Sequence, residues 1–147
     1  MMMNYTMGKG NFTNWIVSEV EFSPDTLGKC ESIMYLGNGY LGLRSATEEA
    51  YLKETRDLFV SGTFNKFDEN EVTELPNLAD VTRLDIRIDG ERFSLEFGET
   101  EDYVRQLNLK TAELTRTFTW TSPKGKTVRF RNYPRPAEAR SKPLCNS

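Results

Sequence analysis

The chain has 147 residues, 37% of them hydrophobic and 28% charged, with a formal net charge of −3. That length amounts to one domain able to bury about 70% of its unfolded surface, and the mild acidity offers no basic patch for nucleic acid or an anionic membrane surface. Histidine is absent, which excludes Ser-His-Asp and Cys-His nucleophile systems and a histidine general base, and argues against a zinc site.

Residues 1–11 read as an N-terminal tail. Met1 to Gly10 carries a lysine but no apolar core of a secretory signal, and no run approaches the roughly 18 apolar residues of a bilayer span. The expectation is a cytoplasmic protein without membrane contact, in which Cys30 and Cys145 are free thiols rather than a pair. The Asn11-Phe12-Thr13 sequon has no consequence in that setting.

Trp15 to Phe22 reads as a first strand, ended by Pro24-Asp25 because proline removes a ladder donor. Gly37-Asn38-Gly39 then reads as a tight turn, since these residues accept positive φ at little cost. Ile33 and Tyr35 before it, and Leu41 and Leu43 after it, have the period-two spacing of two short paired strands. Gly42 leaves room for a close neighbour. The stretch lacks both the G-x-x-x-x-G-K-[ST] pattern and the last glycine of G-x-G-x-x-G, so it is not read as a phosphate cradle. A short helical turn is compatible with Ala46 to Lys53. Arg56 to Phe64 is a further apolar stretch interrupted by Gly62, and Asn65 to Asn77, with four acidic residues and Pro76, is a loop.

Val81 to Phe97 carries the clearest strand pattern. Leu84, Ile86 and Ile88 alternate with Arg83, Asp85 and Arg87, Asp89-Gly90 is a favoured hairpin turn, and Phe93, Leu95 and Phe97 continue the apolar face. A second hairpin follows. Leu114, Phe118 and Trp120 alternate with Thr115, Thr117, Thr119 and Thr121, Ser122-Pro123-Lys124-Gly125 turns the chain, and Val128 and Phe130 lead it back. Short strands between turn signals predict a mainly β fold, an antiparallel β-sandwich with little helix. Incomplete coverage of its edges predicts self-association.

Few residues invite a chemical reading. Glu48-Glu49 is an acidic pair, and glycoside chemistry uses two carboxylates. Adjacent carboxylates diverge on a strand and sit about 100° apart on a helix, so a solvated or capping role is expected instead. Asp85, Asp89 and Glu91 read as the outer face and turn of a hairpin. Arg44 has the fork to bind phosphate, but its place after a turn favours closing that turn on backbone carbonyls or a nearby acid. Trp15, Trp120, Tyr35, Tyr40, Tyr51 and Tyr103 could form a sugar-stacking platform, although alternation favours core packing for the tryptophans. Lys124, Lys126, Arg129 and Arg131 cluster with Phe130 and Tyr133, yet the net charge argues against nucleic acid.

The segment Glu31 to Glu49, with its Gly-Asn-Gly-Tyr-Leu-Gly-x-Arg core at Gly37 to Arg44, resembles the opening of glycoside hydrolase family 65. Trp15 with Glu19 to Asp25, Ser61-Gly62-Thr63-Phe64 with Glu74 to Leu78, Leu84 to Phe93 and Leu107 to Trp120 are similar in the same order, so the likeness spans residues 12–133. The family contains inverting disaccharide phosphorylases acting on maltose, kojibiose, nigerose and trehalose, and some hydrolases. The resemblance implies that 12–133 is part of an N-terminal β-sandwich domain. The general-acid glutamate and the phosphate site would lie in a following (α/α)6 barrel that has no counterpart here. It therefore implies no catalytic, cofactor-binding or metal-binding residue in this chain, with inorganic phosphate a co-substrate of the full-length enzyme only. Glu31, Gly37, Asn38, Gly39, Gly42 and Arg44 become structural signature positions. The implied partner is the barrel, with disaccharide met only through the full-length enzyme and a homo-oligomer as a further expectation.

Pro134 to Ser147 departs from the family. With three prolines and four charged residues, it is expected to be a disordered tail or an out-of-frame ending of a longer reading frame. Two functional expectations follow. One is a non-catalytic sandwich portion of a disaccharide phosphorylase-like enzyme. The alternative is a stand-alone carbohydrate-binding or interaction module.

Overall fold

The computed structural model describes residues 5–6, 9–13, 15–66 and 68–132, with side chains described from residue 15 onward. The expectation for 134–147, and Cys145 with it, lies outside the described residues. Antiparallel sheet dominates, accompanied by one helix. Within the stretch read as a tail, β1 (Tyr5–Thr6) and β2 (Lys9–Thr13) pair with each other and lead into β3 (Ile16–Glu19). β3 is shorter than the predicted strand at both ends, because Trp15 turns the chain at φ 71° and residues 20–23 leave the ladder to enter the helix that follows.

Pro24 does not merely end a strand. It starts helix α1 (Pro24–Ile33), with Ser23 at the N-cap in extended conformation and Asp25 in the first turn. Proline suits that position because its missing N–H would have had no intrahelical partner. Leu27, Cys30, Glu31 and Met34 face inward at the i, i+3, i+4, i+7 spacing of one helix face. Ile33 therefore belongs to the helix and not to a strand.

The glycine turn forms as predicted, between β4 (Leu36–Gly37) and β5 (Leu41–Leu43), which pair in register Leu36↔Leu43. Asn38 Oδ1 accepts from the amides of Tyr40 and Leu41 at 3.0 and 2.8 Å, and Gly39 sits at φ 82°. β6 (Leu58–Val60) completes a three-stranded sheet. Residues 46–53 form no helical turn; they run as irregular chain across the buried face of the larger sheet.

The Asp89-Gly90 hairpin is present, with φ 50° and 80° at its two central residues, but only β7 (Arg87–Ile88) and β8 (Glu91–Arg92) pair. Phe93 and Leu95 are buried while Leu84 and Phe97 are exposed. The alternation stops because residues 95–98 turn. At Gly98, a Cβ would stand 2.2 Å from the Thr121 carbonyl oxygen, so only glycine passes there.

β9 (Glu99–Asn108), β10 (Glu113–Thr121) and β11 (Thr127–Asn132) finish a six-stranded sheet of order β1-β2-β3-β9-β10-β11. The β10–β11 hairpin matches its sequence pattern, with Phe118 opposite Phe130 and Trp120 opposite Val128. One face of this sheet carries the core in two parts. Phe93, Leu95, Tyr103, Phe118 and Trp120 form an aromatic cluster, flanked by Phe22, Ile86, Ile88 and Phe130. Val17, Leu107 and Met34, with Leu36 and Leu114, form a smaller one under the end of α1. The predicted mainly β architecture of packed antiparallel layers is what the chain adopts. No helix among the described residues is long and apolar enough to cross a membrane.

Candidate functional site

Between the two apolar clusters, the sheet buries a row of polar side chains. Cross-strand register places Glu19 of β3 opposite Arg105 of β9, Arg105 opposite Arg116 of β10, and Arg116 opposite Asn132 of β11. Glu19, Arg105 and Arg116 are all at most 3% exposed. Two like charges directly opposite each other in a sheet repel, and burial removes the water that would screen them. The row therefore needs carboxylates from outside the strand pair.

The segment after the glycine turn supplies them. Glu49 takes Arg116 bidentately, Oε1 from Nη1 at 2.8 Å and Oε2 from Nη2 at 2.6 Å, and Glu48 Oε2 accepts from Nη2 at 2.6 Å. Glu48 also accepts from Asn132 Nδ2. The Arg116 guanidinium lies over the rings of Phe118 and Phe130, 5.2 and 5.0 Å from their centroids. Burial works to lower the pKa of Arg116, but its bonds to Glu49 and the nearby Glu48 outweigh that and push it up. On the other side, Glu19 stands 3.6 Å from Arg105 Nη1 and accepts from the Tyr103 hydroxyl at 3.2 Å. Arg105 Nη2 donates to the Ser45 carbonyl oxygen, and Ser45 Oγ donates to the Met34 carbonyl oxygen.

The expectation that Glu48-Glu49 is solvated or capping is corrected for Glu49, which is 1% exposed. Its partner lies 67 residues away in sequence, beyond any local spacing rule. The pair still offers no glycosidase geometry. Both carboxylates converge on one guanidinium instead of flanking a space for a sugar.

Glu31 and Arg44, two of the signature positions, meet each other. Glu31 Oε2 accepts from Arg44 Nε at 3.3 Å, and its Oε1 accepts from the Tyr51 hydroxyl at 2.6 Å. Arg44 Nη2 donates to the Gly28 carbonyl oxygen at 2.5 Å, and Nη1 lies 3.8 Å from Asp57. Arg44 thus closes onto helix α1 and an acid, not onto the turn that precedes it. The remaining signature residues shape that turn, with Gly37 and Gly42 paired across β4 and β5. A Cβ at Gly42 would press to 3.2 Å on the Tyr35 ring.

Arg56, which the sequence did not single out, clamps the same segment from outside. It donates to Asp80 at 2.7 Å and Glu54 at 3.1 Å, and to the carbonyl oxygens of Thr47 and Glu49 at 2.7 and 3.2 Å. Burial pulls the Asp80 carboxyl upward, but bonds from Thr82 and Arg56 prevail and hold it below the usual carboxylate range. Glu19 goes the other way, because desolvation outweighs Arg105, Cys30 and Tyr103. Cys30 is a buried free thiol pushed up to about 12 by burial and by Glu19, which makes it a poor nucleophile.

The aromatic residues do not assemble as one platform. Trp120 and Tyr103 are in the core, as expected for Trp120, whereas Trp15 is 55% exposed under Lys110 Nζ. The four basic residues of the second hairpin lie at the surface, where Lys126 meets Asp89 at 2.8 Å and Lys124 meets Glu91 at 3.9 Å. Among the described residues no group of three or more His, Cys, Asp or Glu side chains has metal-binding geometry. A shallow cleft of about 340 Å³ lies between Tyr51, Leu52, Arg83, Arg92 and Phe97.

The family model described as glycosyl hydrolase family 65, N-terminal domain, matches residues 17–133. Kojibiose phosphorylase of Halothermothrix orenii is 50% identical over 125 residues, 85% of this chain and 16% of that protein. Kojibiose phosphorylase of Escherichia coli is 41% identical over 74% of the chain and 14% of its own length. The alpha,alpha-trehalose phosphorylase of Thermoanaerobacter brockii is 33% identical over 78% of the chain and 17% of its own length. A solved structure from the human microbiome, provisionally described as a kojibiose phosphorylase, superimposes with a TM-score of 0.73 at 22% identity, covering 88% of this chain and 19% of that one. The chain thus spans about one-sixth of the length of the curated relatives it matches.

Proposed function

The chain belongs to glycosyl hydrolase family 65 by its N-terminal domain, and on that premise we propose that it is a non-catalytic sandwich portion of a disaccharide phosphorylase-like enzyme. The observation that carries this reading is the commitment of three acids at and beside the glycine-turn segment, Glu31, Glu48 and Glu49. Glu31 and Glu49 are tied to arginines within the fold and Glu48 reaches the same guanidinium as Glu49, so none of the three is placed to protonate a leaving group. The enzyme it serves cleaves an α-glucosidic disaccharide with inorganic phosphate and inversion, the glutamate and the phosphate site being supplied by a catalytic barrel. The barrel is its partner, phosphate is a co-substrate there, and the setting is cytoplasmic carbohydrate metabolism. This rests on the names of the similar proteins and on the implied family architecture.

The purified 147-residue chain, incubated with kojibiose, trehalose or maltose and inorganic phosphate, is expected to release no glucose 1-phosphate. Release above a no-protein blank overturns the reading. The cleft at Tyr51 and Phe97 favours a second reading, a sugar-binding module, because an exposed ring beside two arginines and two acids is the chemistry that stacks on and hydrogen-bonds a disaccharide. Calorimetric titration with the same sugars separates the two. Saturable heat that is lost in Phe97→Ala favours the module, and flat titrations favour the scaffold.

A further inference from the structure

The buried polar row leaves two guanidiniums incompletely bonded. Arg105 Nη1 and Arg116 Nε are buried with no hydrogen-bond partner among the described residues. Their side chains are 2% and 4% exposed, so whatever satisfies these atoms sits inside the fold. Their neighbours on the same guanidiniums are well served. Arg116 Nη1 and Nη2 hold Glu49 and Glu48, and Arg105 Nη2 holds the Ser45 carbonyl oxygen. The same two arginines wall a crevice of about 10 Å³, together with Ala46, Thr47, Glu48 and Asn132. Counted as space that a water-sized sphere fills, that is room for one molecule of water and nothing larger.

We propose that the crevice binds a single ordered water, which accepts from Arg116 Nε and Arg105 Nη1 and donates to the Glu48 carboxylate. The chemistry of the wall fits this occupant. Guanidinium N–H groups only donate, and the carboxylate of Glu48 only accepts, so a molecule that does both is needed between them. Charge disfavours an ion. An anion in the crevice faces Glu48 and a cation faces two guanidiniums, whereas a neutral dipole answers both signs. The water also serves the sheet. The β9–β10 register sets Arg105 opposite Arg116, and an oxygen that accepts from both draws the two like-charged groups into one network. Glu48 and Glu49 neutralise Arg116, and the water completes the bonding that those carboxylates leave open.

The test uses the full chain labelled with nitrogen-15, with the Arg116 Nε–H resonance assigned through its own side-chain carbons. In paired NOE and ROE spectra this proton is expected to show dipolar cross-relaxation to water, with the signs of a water that tumbles with the protein and not those of proton exchange. Ala46→Val adds two methyl groups to the crevice wall and no polar atom. It is expected to abolish the cross-peak and to raise the unfolding equilibrium constant by about tenfold or more, because Arg116 Nε is then stranded. The spectrum of the parent chain decides even if that variant fails to fold. No cross-relaxation in the parent overturns the proposal, as does a cross-peak or an unfolding constant that is unchanged in folded Ala46→Val. A saturable shift of the resonance when chloride replaces sulfate at constant ionic strength overturns it too, by seating an anion in the crevice.

Discussion

Arg116 illustrates how single residues hold this fold together. It sits opposite Arg105 in the buried face of the sheet, and Glu49 reaches it with two hydrogen bonds of 2.8 and 2.6 Å. A buried ion pair contributes little net stability over an apolar pair of similar volume, but removing one partner strands the other charge. Arg116→Met alone is therefore expected to cost about 3–5 kcal/mol in urea unfolding. Adding Glu49→Leu to it should recover more than half of that loss. A double variant as unstable as the single one would show that packing, not the stranded carboxylate, dominates. Glu19 Oε1, Arg105 Nη1 and Arg116 Nε are buried with no hydrogen-bond partner among the described residues, and an unsatisfied buried polar atom costs stability.

Among elements, the glycine turn is the most local and the most legible. Its geometry follows from Asn38 bonding two amides ahead and Gly39 taking positive φ, both properties of the residues themselves. Asn38→Ala should destabilise by about 1 kcal/mol, the net worth of such bonds at the surface. Gly39→Ala should cost a similar ~1 kcal/mol through strain. Both effects are measurable as lowered melting temperatures, and an unchanged Tm in either variant contradicts the assignment. Helix α1 was harder to see because its inward stripe is Leu27, Cys30, Glu31 and Met34. A glutamate in the stripe hides the helical period from any count of apolar residues, and Pro24 reads equally as a stop and a start. Strand β9 is hidden for the same kind of reason. Arg105 occupies a buried slot between Tyr103 and Leu107, and Asp102 at φ 52° breaks the period-two spacing.

For the molecule as a whole, these buried carboxylates set how stability follows pH, and Asp80 and Glu19 act with opposite sign. The folded pKa of Asp80 lies below the ordinary aspartate value of 3.8, so its contribution is present above that value and is lost as pH falls through the lower folded one. The folded pKa of Glu19 lies above the ordinary glutamate value of 4.5, because burial disfavours its charged form. The native state then holds a proton that the unfolded chain has released, and stability falls as pH rises from 4.5 through the folded value. In urea unfolding at a series of pH values, Asp80→Asn is expected to be less stable than the parent near neutrality, with the gap closing below pH 3.8. Glu19→Gln should remove the decline above pH 4.5. Parallel curves for parent and variant would contradict either assignment.

The amino-acid sequence alone determined the mainly antiparallel architecture, its three tight turns and the family to which the chain belongs. Each of these rests on residues within a few positions of one another, where φ preference and side-chain alternation act directly. Tertiary structure decided the fate of the charges. Glu49 with Arg116, Arg105 with Ser45, and Glu48 with Asn132 lie 60 to 84 residues apart, and no local rule distinguishes a carboxylate bound for the core from one bound for water. Only when β9 and β10 place two arginines side by side does the segment after the glycine turn acquire its task, which is to neutralise Arg116 with carboxylates and to accept from Arg105 with a backbone carbonyl.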